Sequence, residues 1–186
     1  MNEEVHKAYE VIKEGGIILY PTETVWGIGC DATNPEAVAK IYALKQREET
    51  KSMIVLMNGE KMIYNVFKDI PEVAWQILDL SEKPTTLILD NPRNIAPNLI
   101  APDKTLGMRI IKEPFCYKLL ERMKKPLVST SANISGMPTP VNFKEISSEI
   151  IKGVDYVVNL QQEKMTGKPS AIIKLTADSQ VKVIRK

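Results

Sequence analysis

Apolar residues along the chain follow two different periods. Runs of strand length, bounded by turn residues, occur at 17–20 ("IILY") and 53–57 ("MIVLM"), and we predict a buried strand at each. Elsewhere apolar positions recur every three or four residues, which predicts helices at 3–14 and 35–47. Asn34 and Pro35 suit the cap and the first position of the second helix.

The rest of the chain continues this pattern. We predict further helices at 71–83, 114–124 and 143–153, and further strands at 85–89, 106–111, 127–132, 155–160, 170–175 and 181–186. Strands and helices alternate early and strands cluster late, so we expect an α/β fold with a twisted mixed β-sheet and flanking helices. Three prolines at 90–104 favour an extended, mobile surface loop that is able to act as a lid.

Composition and charge place this fold in a broad class. The chain has 186 residues, 44 % of them hydrophobic and 26 % charged, so we expect a single domain, 1–186. No segment is apolar enough to cross a bilayer, and the acidic, amphipathic N-terminus does not resemble a signal peptide; we therefore expect a cytoplasmic protein without membrane contact. A net charge of +2 gives no global field for nucleic acid, so any anion site must be local.

The counts of histidine and cysteine exclude several reaction classes. His6 is the only histidine, and helical periodicity places it off the apolar face of its helix. Catalysis of the Ser-His-Asp or Cys-His type needs an imidazole beside the nucleophile, so neither type is expected. Cys30 and Cys116 lack metal-ligand spacing, and we expect buried, reduced core residues and no protein-ligated metal.

Phosphate binding, if present, needs an unusual arrangement. The chain contains neither GxxxxGK[ST] nor a GxGxxG behind a strand. Three basic residues, Lys45, Arg47 and Lys51, instead surround the predicted end of the second helix. They are able to bind phosphate, although, taken alone, they are better explained by compensation of the helix dipole on a solvated surface.

Two further clusters offer hydroxyl groups at strand ends. The segment "STSANISG" at 129–136 is either an anion cradle or a Ser/Asn-rich turn. The segment "PTET" presents Thr22, Glu23 and Thr24 just past a strand, where ligand crevices of α/β sheets lie. Arg109 interrupts an apolar strand, and it must either face solvent or line a pocket where a carboxylate meets it.

Together these segments resemble one family. The stretch from Gly15 to Arg47, "STSANISG" and the closing "VIRK" are similar to the short, single-domain form of the YrdC family of L-threonylcarbamoyladenylate synthases. The pair Lys45-x-Arg47 and Ser131-x-Asn133 matches the KxR…SxN signature of that family. The resemblance implies a YrdC-like fold and the synthesis of threonylcarbamoyl-AMP and pyrophosphate from ATP, L-threonine and bicarbonate or CO2. This is the first step of the N6-threonylcarbamoyladenosine modification of tRNA.

The resemblance also implies roles for individual residues. Lys45, Arg47 and Glu23 become catalytic candidates, with Glu23 orienting the ammonium of threonine or accepting its proton. The implied ATP-binding residues are Lys45, Arg47, Lys51, Thr105, Ser131, Asn133 and Arg185. The implied threonine-binding residues are Thr22, Thr24, Arg109, Ser129 and Ser170. Mg²⁺ is implied as a companion of ATP, and a TsaD-type tRNA threonylcarbamoyl transferase as the partner that receives the product.

The sequence departs from the family pattern at three of its positions. Glu48 stands where a proline often follows KxR, Trp26 replaces a tyrosine, and Leu56 falls where longer members carry histidine. Three other functions stay open: an RNA-binding module with weak affinity for tRNA, the carbamoyl-transferring domain of a hydrogenase maturation factor, and a YciO-like paralogue with altered chemistry. The presence of both KxR and SxN argues against the last of these.

Overall fold

The fold is that of a computed structural model, which describes residues 1–48, 53–165, 167–176 and 180–186. Its helices are α1 (Asn2–Lys13), α2 (Pro35–Lys45), α3 (Glu60–Val66), α4 (Glu72–Leu80), α5 (Pro114–Met123) and α6 (Ser148–Gly153). Its strands are β1 (Ile18–Tyr20), β2 (Gly27–Gly29), β3 (Ile54–Met57), β4 (Thr85–Asp90), β5 (Thr105–Ile110), β6 (Leu127–Ser131), β7 (Tyr156–Val157), β8 (Ala171–Leu175) and β9 (Val181–Arg185).

These strands form one mixed sheet in the order β7-β1-β2-β6-β3-β5-β4-β8-β9. The pairs β1–β7, β3–β5 and β4–β8 are parallel, and the other five pairs are antiparallel. The predicted α/β class and mixed sheet are therefore confirmed. Strand β6 lies between β2 and β3, which brings together segments that are far apart in the sequence.

The two faces of the sheet are covered differently. Val55 and Met57 of β3 belong to the larger core, together with Ile41 of α2. Their neighbour Leu56 points to the opposite face and belongs to a second core with Leu119 of α5. Side chains alternate along a strand, so Ile54 lies on the same face as Leu56. Helix α5 covers Leu56, whereas Ile54 lines an open cleft beside it.

Most predicted elements are present, with local differences. The predicted cap of α2 is confirmed, because the Asn34 side chain accepts hydrogen bonds from Glu36 N and Ala37 N. The predicted helix at 143–153 is divided into a 3₁₀ turn, Phe143–Glu145, and α6. Helix α6 starts anew because the Ser147 side chain caps the backbone N–H of Ile150. Strand β2 and helix α3 were not predicted.

The proline-rich loop at 90–104 inserts two side chains into the larger core. Ala96 and Leu99 are buried in the larger core, and Ala96 N donates to Ala32 O at 2.9 Å. Asn98 Nδ2 donates to Pro35 O at 3.0 Å, which ties the loop to the start of α2. These contacts tie the middle of the loop to the helix-covered face, and its movement as a lid stays a prediction.

The remaining structural expectations concern the rare residues and the membrane. His6 is exposed, as predicted, and its Nδ1 lies 3.0 Å from Arg122 Nη2. Cys30 and Cys116 are both buried free thiols. Within the described ranges, no helix has the length and apolar character that a bilayer span requires.

Candidate active site

A cleft of about 240 Å³ opens on the face of the sheet beside α5. Eight of the predicted site residues line it: Thr22, Thr24, Arg47, Arg109, Ser129, Ser131, Ser170 and Arg185. The lining also contains Val25, Gly27, Met53, Ile54, Thr130, Thr139, Pro169 and Ile172, which the sequence did not identify. Alternation along β3 and β8 would have identified Ile54 and Ile172 only if the position of the cleft had been known.

The two threonines of "PTET" fold their own turn. Thr22 Oγ1 donates to Val25 O at 2.7 Å and accepts from Thr24 N at 3.0 Å. The hydroxyls of Thr22 and Thr24 lie 2.9 Å apart, and Thr24 must donate there because the Thr22 proton is already used. The turn is therefore rigid, and it presents two hydroxyl groups to the cleft.

The two glycines of "WGIG" make room for Tyr20. A Cβ atom on Gly29 would meet the Val128 carbonyl oxygen and lie 2.8 Å from Tyr20 Cε1, and one on Gly27 would lie 3.2 Å from Tyr20 Cζ. The Tyr20 ring is fully buried against both glycines, and its hydroxyl donates to Val128 O at 3.2 Å. Glycine is therefore required for the close packing of β1, β2 and β6 behind the cleft.

Arg109 is a buried cation at the floor of the cleft. Only 4 % of its surface is exposed, and its Nη1 donates to Thr24 Oγ1 at 3.2 Å. Its Nε lies 3.4 Å from Glu23 Oε1, an ion pair whose geometry does not satisfy a hydrogen bond. A buried guanidinium needs partners for its donors, and here they are a hydroxyl, a carboxylate and the cleft itself.

Glu23 contacts Arg109 from outside the cleft. Glu23 lines a neighbouring pocket of about 350 Å³ together with Lys83 and Lys112. It is not among the described residues that line the cleft. Its Oε2 is buried and has no hydrogen-bond partner in the described part of the chain. The structure thus places this predicted catalytic carboxylate beside the guanidinium of Arg109, separate from the other catalytic candidates.

The KxR pair divides at the end of α2. Gln46 adopts left-handed backbone geometry (φ 51°) and ends the helix, so the chain turns between Lys45 and Arg47. Arg47 is half-buried and lines the cleft. Lys45 is 1 % exposed, is not among the cleft-lining residues, and donates from Nζ to Ser131 O and Asn133 O, both at 2.5 Å. Burial, and then the charge of Arg47, lower the pKa of Lys45 to about 8.

The SxN segment turns sharply at the end of β6. Ser131 lines the cleft, whereas Asn133 Nδ2 donates to Ile134 O at 2.9 Å and to Met137 O at 2.7 Å. The Oδ1 of Asn133 is buried without a hydrogen-bond partner among the described residues. Asn133 therefore holds the turn together and follows closely on Ser131, which lines the cleft.

Arg185 closes the cleft on the far side. Its strand β9 pairs with β8, so the paired strand that its predicted role requires is present. Although β9 is exposed along its length, the guanidinium turns into the cleft, and Nε donates to Ser170 O at 2.8 Å. Loss of water there, and then the charge of Arg109, lower the pKa of Arg185. Ser170 Oγ is held by Thr86 Oγ1 at 2.8 Å.

Thr105, a predicted ATP-binding residue, does not join this group. Thr105 shares a face of β5 with Arg109, but four residues of strand separate them by about 13 Å. The Thr105 hydroxyl donates to Asp103 Oδ1 at 2.7 Å, and the residue is absent from the described lining of the cleft. Lys51 lies outside the described residues.

The cleft combines positive charge with hydroxyl groups. Three guanidinium groups, those of Arg47, Arg109 and Arg185, reach one small volume, and Thr130 and Thr139 add further hydroxyls. Like charges converge at a cost unless an anion neutralises them, and guanidinium groups suit carboxylates and phosphates. The fold and the cleft therefore define an anion-binding α/β protein whose site works without an imidazole.

The donor set gives no sign of a resident metal ion. The described part of the chain has no cluster of three or more His, Cys, Asp or Glu residues able to hold one. Its cleft-lining side chains offer hydroxyl and guanidinium groups and no carboxylate. Mg²⁺ keeps several waters and favours carboxylates and substrate phosphates. These residues do not form a magnesium site of their own, so Mg²⁺ would reach the cleft bound to the nucleotide substrate.

Comparison with known proteins identifies the family. The family model described as "Telomere recombination", which covers Sua5, YciO and YrdC, matches residues 10–186. The chain belongs to this Sua5/YciO/YrdC family. A relative from Methanocaldococcus jannaschii is 35 % identical over 97 % of this chain and 86 % of its own length. The threonylcarbamoyl-AMP synthase of Acinetobacter baylyi is 31 % identical over 92 % of this chain and 93 % of its own length.

Solved structures agree on the fold. Sua5 from P. abyssi, in a H234A/Y235A variant, matches with a TM-score of 0.86 and 26 % identity over 95 % of this chain. This chain spans 54 %, about half, of that Sua5 chain. YciO from E. coli matches with a TM-score of 0.86 and 25 % identity, covering all of this chain and 90 % of its own. The predicted YrdC-like fold is therefore confirmed.

Proposed function

We propose that this protein synthesises L-threonylcarbamoyl-AMP from L-threonine, bicarbonate or CO2, and ATP, and releases pyrophosphate. The observation that carries the proposal is the convergence of Arg47, Arg109 and Arg185 on one hydroxyl-lined cleft. Family membership supports it, because relatives that match most of this chain are named threonylcarbamoyl-AMP synthases. The activity is that of a nucleotidyltransferase, an ATP-dependent enzyme of tRNA processing.

The reaction brings two anions together. The ammonium of threonine first gives a proton to solvent, the free amine attacks CO2, and the adduct gives a second proton to solvent and becomes a carbamate. A carbamate oxygen then attacks the α-phosphorus of ATP, and the bond between that phosphorus and the bridging oxygen of the β-phosphate breaks. Negative charge grows on the departing pyrophosphate, so fixed cations stabilise the transition state more than they stabilise the separate substrates. No covalent enzyme intermediate is needed, which suits a cleft without an imidazole.

The three arginines bind different anionic substrates. Arg109, with Thr24 on its Nη1, holds the carboxylate of threonine, and Ser129, Ser170 and Thr22 complete that end. Arg47, Ser131 and Arg185 hold the nucleotide phosphates, to which Mg²⁺ comes bound as part of the substrate. Glu23 lies outside the cleft and acts on threonine indirectly, because its carboxylate, 3.4 Å from Arg109 Nε, orients the guanidinium that holds the amino acid.

The product belongs to a longer sequence of reactions. We place the protein in the cytoplasm, where a TsaD-type transferase takes the threonylcarbamoyl group from the adenylate and attaches it to an adenosine of tRNA. The mixed anhydride between a carbamate and a phosphate hydrolyses readily, so transfer requires brief contact between the two proteins. No membrane is involved in these steps.

Pyrophosphate release tests the proposal. The purified protein is incubated with Mg²⁺-ATP, L-threonine and bicarbonate, and each substrate is omitted in turn. Release that needs all three, with threonylcarbamoyl-AMP detected by mass spectrometry, is the expected result. Release that is independent of threonine or bicarbonate would refute the assignment and favour altered chemistry on the same fold, as in the alternative of a YciO-like paralogue.

A surface groove gives separate support to weak binding of tRNA. The groove has a volume of about 700 Å³ and is lined by Lys61, Arg93 and Lys124, with Glu121 as an acidic neighbour. Tyr64 is 48 % exposed there, and the centre of its ring lies 5.5 Å from the centre of the Trp75 ring. Cations with an exposed aromatic ring suit single-stranded RNA.

Charge reversal at the groove tests this second function. Lys61→Glu with Lys124→Glu should weaken tRNA binding and flatten its dependence on salt, while threonine-dependent pyrophosphate release stays unchanged. The matched control, Lys118→Glu with Lys144→Glu, changes the net charge equally away from the groove. Equal tRNA affinity in the two double variants would rule the groove out.

A further inference from the structure

Lys45 has an environment unlike that of a substrate-binding lysine. It is among the largest fully buried side chains of the protein, with 1 % of its surface exposed. Its ammonium donates to two backbone carbonyls, Ser131 O and Asn133 O, and the residue is absent from the described lining of the cleft. An ammonium group has three N–H donors, so two of them are engaged by one turn of the chain.

The backbone of Lys45 joins the same turn. Ser135 N donates to Lys45 O at 2.8 Å, so the last residue of α2 contacts the turn through both its main chain and its side chain. Asn133 N donates to Ser131 O at 2.9 Å, which closes the turn on itself. The segment 131–135 is thus wound around the end of α2, with Lys45 at its centre.

A buried ammonium is stable only where dipoles compensate for lost water. Two carbonyl oxygens at 2.5 Å provide part of that compensation, and the cation in turn holds together two carbonyl dipoles that would repel each other if alone. The charge therefore stabilises one shape of the turn. Ser131, whose carbonyl is one of the two, lines the cleft.

We propose that Lys45 is a positioning residue, whose ammonium fixes the turn at 131–135 and so places Ser131 in the cleft, without contact to the substrate phosphates. The inference rests on the proposed function only for its activity measurements. The two basic residues of the KxR signature then have different roles. Arg47 faces the substrate, whereas Lys45 fixes the shape of the turn at 131–135 beside the cleft.

Hydrogen exchange in the ligand-free protein tests the positioning role directly. Lys45→Met keeps the length of the side chain and removes the ammonium, so the amides of Asn133 and Ser135 should exchange about tenfold faster, the scale of one lost hydrogen bond. Lys45→Gln keeps an N–H donor and should give an intermediate rate. Wild-type rates at both amides in both variants would overturn the proposal.

Helix α2 offers a matched control. Lys40 also donates from Nζ to a backbone carbonyl, Gly15 O at 2.9 Å, but on the exposed surface. Lys40→Met should leave the exchange of the 131–135 amides and the turnover of the enzyme unchanged. Equal acceleration in the Lys40 and Lys45 variants would show a general loss of stability and refute a local role.

A double-mutant cycle tests the link to the site. If Lys45 acts through Ser131, Lys45→Met combined with Ser131→Ala should lose no more than about threefold in kcat/KM beyond Ser131→Ala alone. The salt dependence of ATP binding should stay as steep in Lys45→Met as in the wild type and become shallower in Arg47→Ala. Multiplicative losses with a shallower salt dependence in Lys45→Met would identify Lys45 as a phosphate ligand. The exchange result does not depend on turnover, so it still decides the positioning role if no adenylate is formed.

Discussion

Substitution of Arg109 by methionine separates substrate binding from folding. Methionine retains the bulk of the arginine stem and removes the guanidinium, which is 4 % exposed and donates to Thr24 Oγ1. A charge-assisted hydrogen bond to a substrate carboxylate contributes about 1.5–3 kcal/mol. Loss of two such bonds from a bidentate pair, partly replaced by water, should cost about 3 kcal/mol, which is on the order of a hundredfold in kcat/KM for threonine.

The variant also leaves Glu23 without its cation. The carboxylate lies 3.4 Å from Arg109 Nε and its side chain is 26 % exposed, so solvent screens only part of the lost interaction. Thermal unfolding should therefore occur at a lower temperature in Arg109→Met. Adding Glu23→Gln removes the unpaired charge and should restore most of that thermal stability.

Pyrophosphate release at varied threonine and fixed ATP measures the effect. The KM for threonine should rise in Arg109→Met, while the KM for ATP stays within about threefold, because the lost group faces the amino acid. The double variant with Glu23→Gln should stay inactive although it is stable. Recovery of turnover in the double variant, or an unchanged KM for threonine, would show that Arg109 serves only to neutralise Glu23.

Four other substitutions test separate parts of the structure. Arg47→Ala should lower adenylate formation by about 10²- to 10³-fold, the scale for one preorganised cation, and turnover like that of the wild type would contradict its role. Arg185→Ala should weaken ATP binding by about tenfold in calorimetry with little change in thermal unfolding; equal losses in both would make Arg185 structural. Gly29→Ala should destabilise the fold by at least about 2 kcal/mol in urea, because its Cβ would lie 2.8 Å from Tyr20 Cε1, whereas Gly59→Ala, with open space around it, should not. Lys45 has a folded-state pKa of about 8 against an ordinary 10.5, so between these two pH values the unfolded chain holds a proton that the folded chain lacks. The free energy of unfolding should therefore rise by about 3 kcal/mol across this pH range, relative to that of Lys45→Met. Parallel pH profiles of the two proteins would contradict the lowered pKa.

Local signals made most of the elements predictable. Asn34 and Pro35 mark the start of α2 because a side-chain cap and a fixed φ both act within one turn. Strand β2 was missed because two of its three residues are glycine, which has a low preference for strands. These glycines are needed because the Tyr20 ring of strand β1 packs directly against both of them. Such a non-local cause leaves no periodic signal in the sequence.

The cleft depends on strand order, which the sequence does not specify. Strand β6 pairs with β2 and β3, so Ser131 lies opposite Gly27 and Ser129 lies opposite Ile54. This pairing brings the "PTET" turn and the SxN turn to one place. Thr105 illustrates the opposite case, because sharing a strand and a face with Arg109 does not reveal which end of β5 meets the cleft.

The spacing of the KxR signature follows from the way in which α2 ends. Residues two apart on a helix point to opposite sides, and the left-handed Gln46 further turns the chain between Lys45 and Arg47. In this structure the two cations therefore have different partners. One meets the carbonyls of the SxN turn and the other meets the cleft, which explains why the two halves of the signature occur together. A chain that keeps Arg47 and Ser131 but loses Lys45 should retain the positive charge of the cleft and lose the fixed conformation of the turn at 131–135.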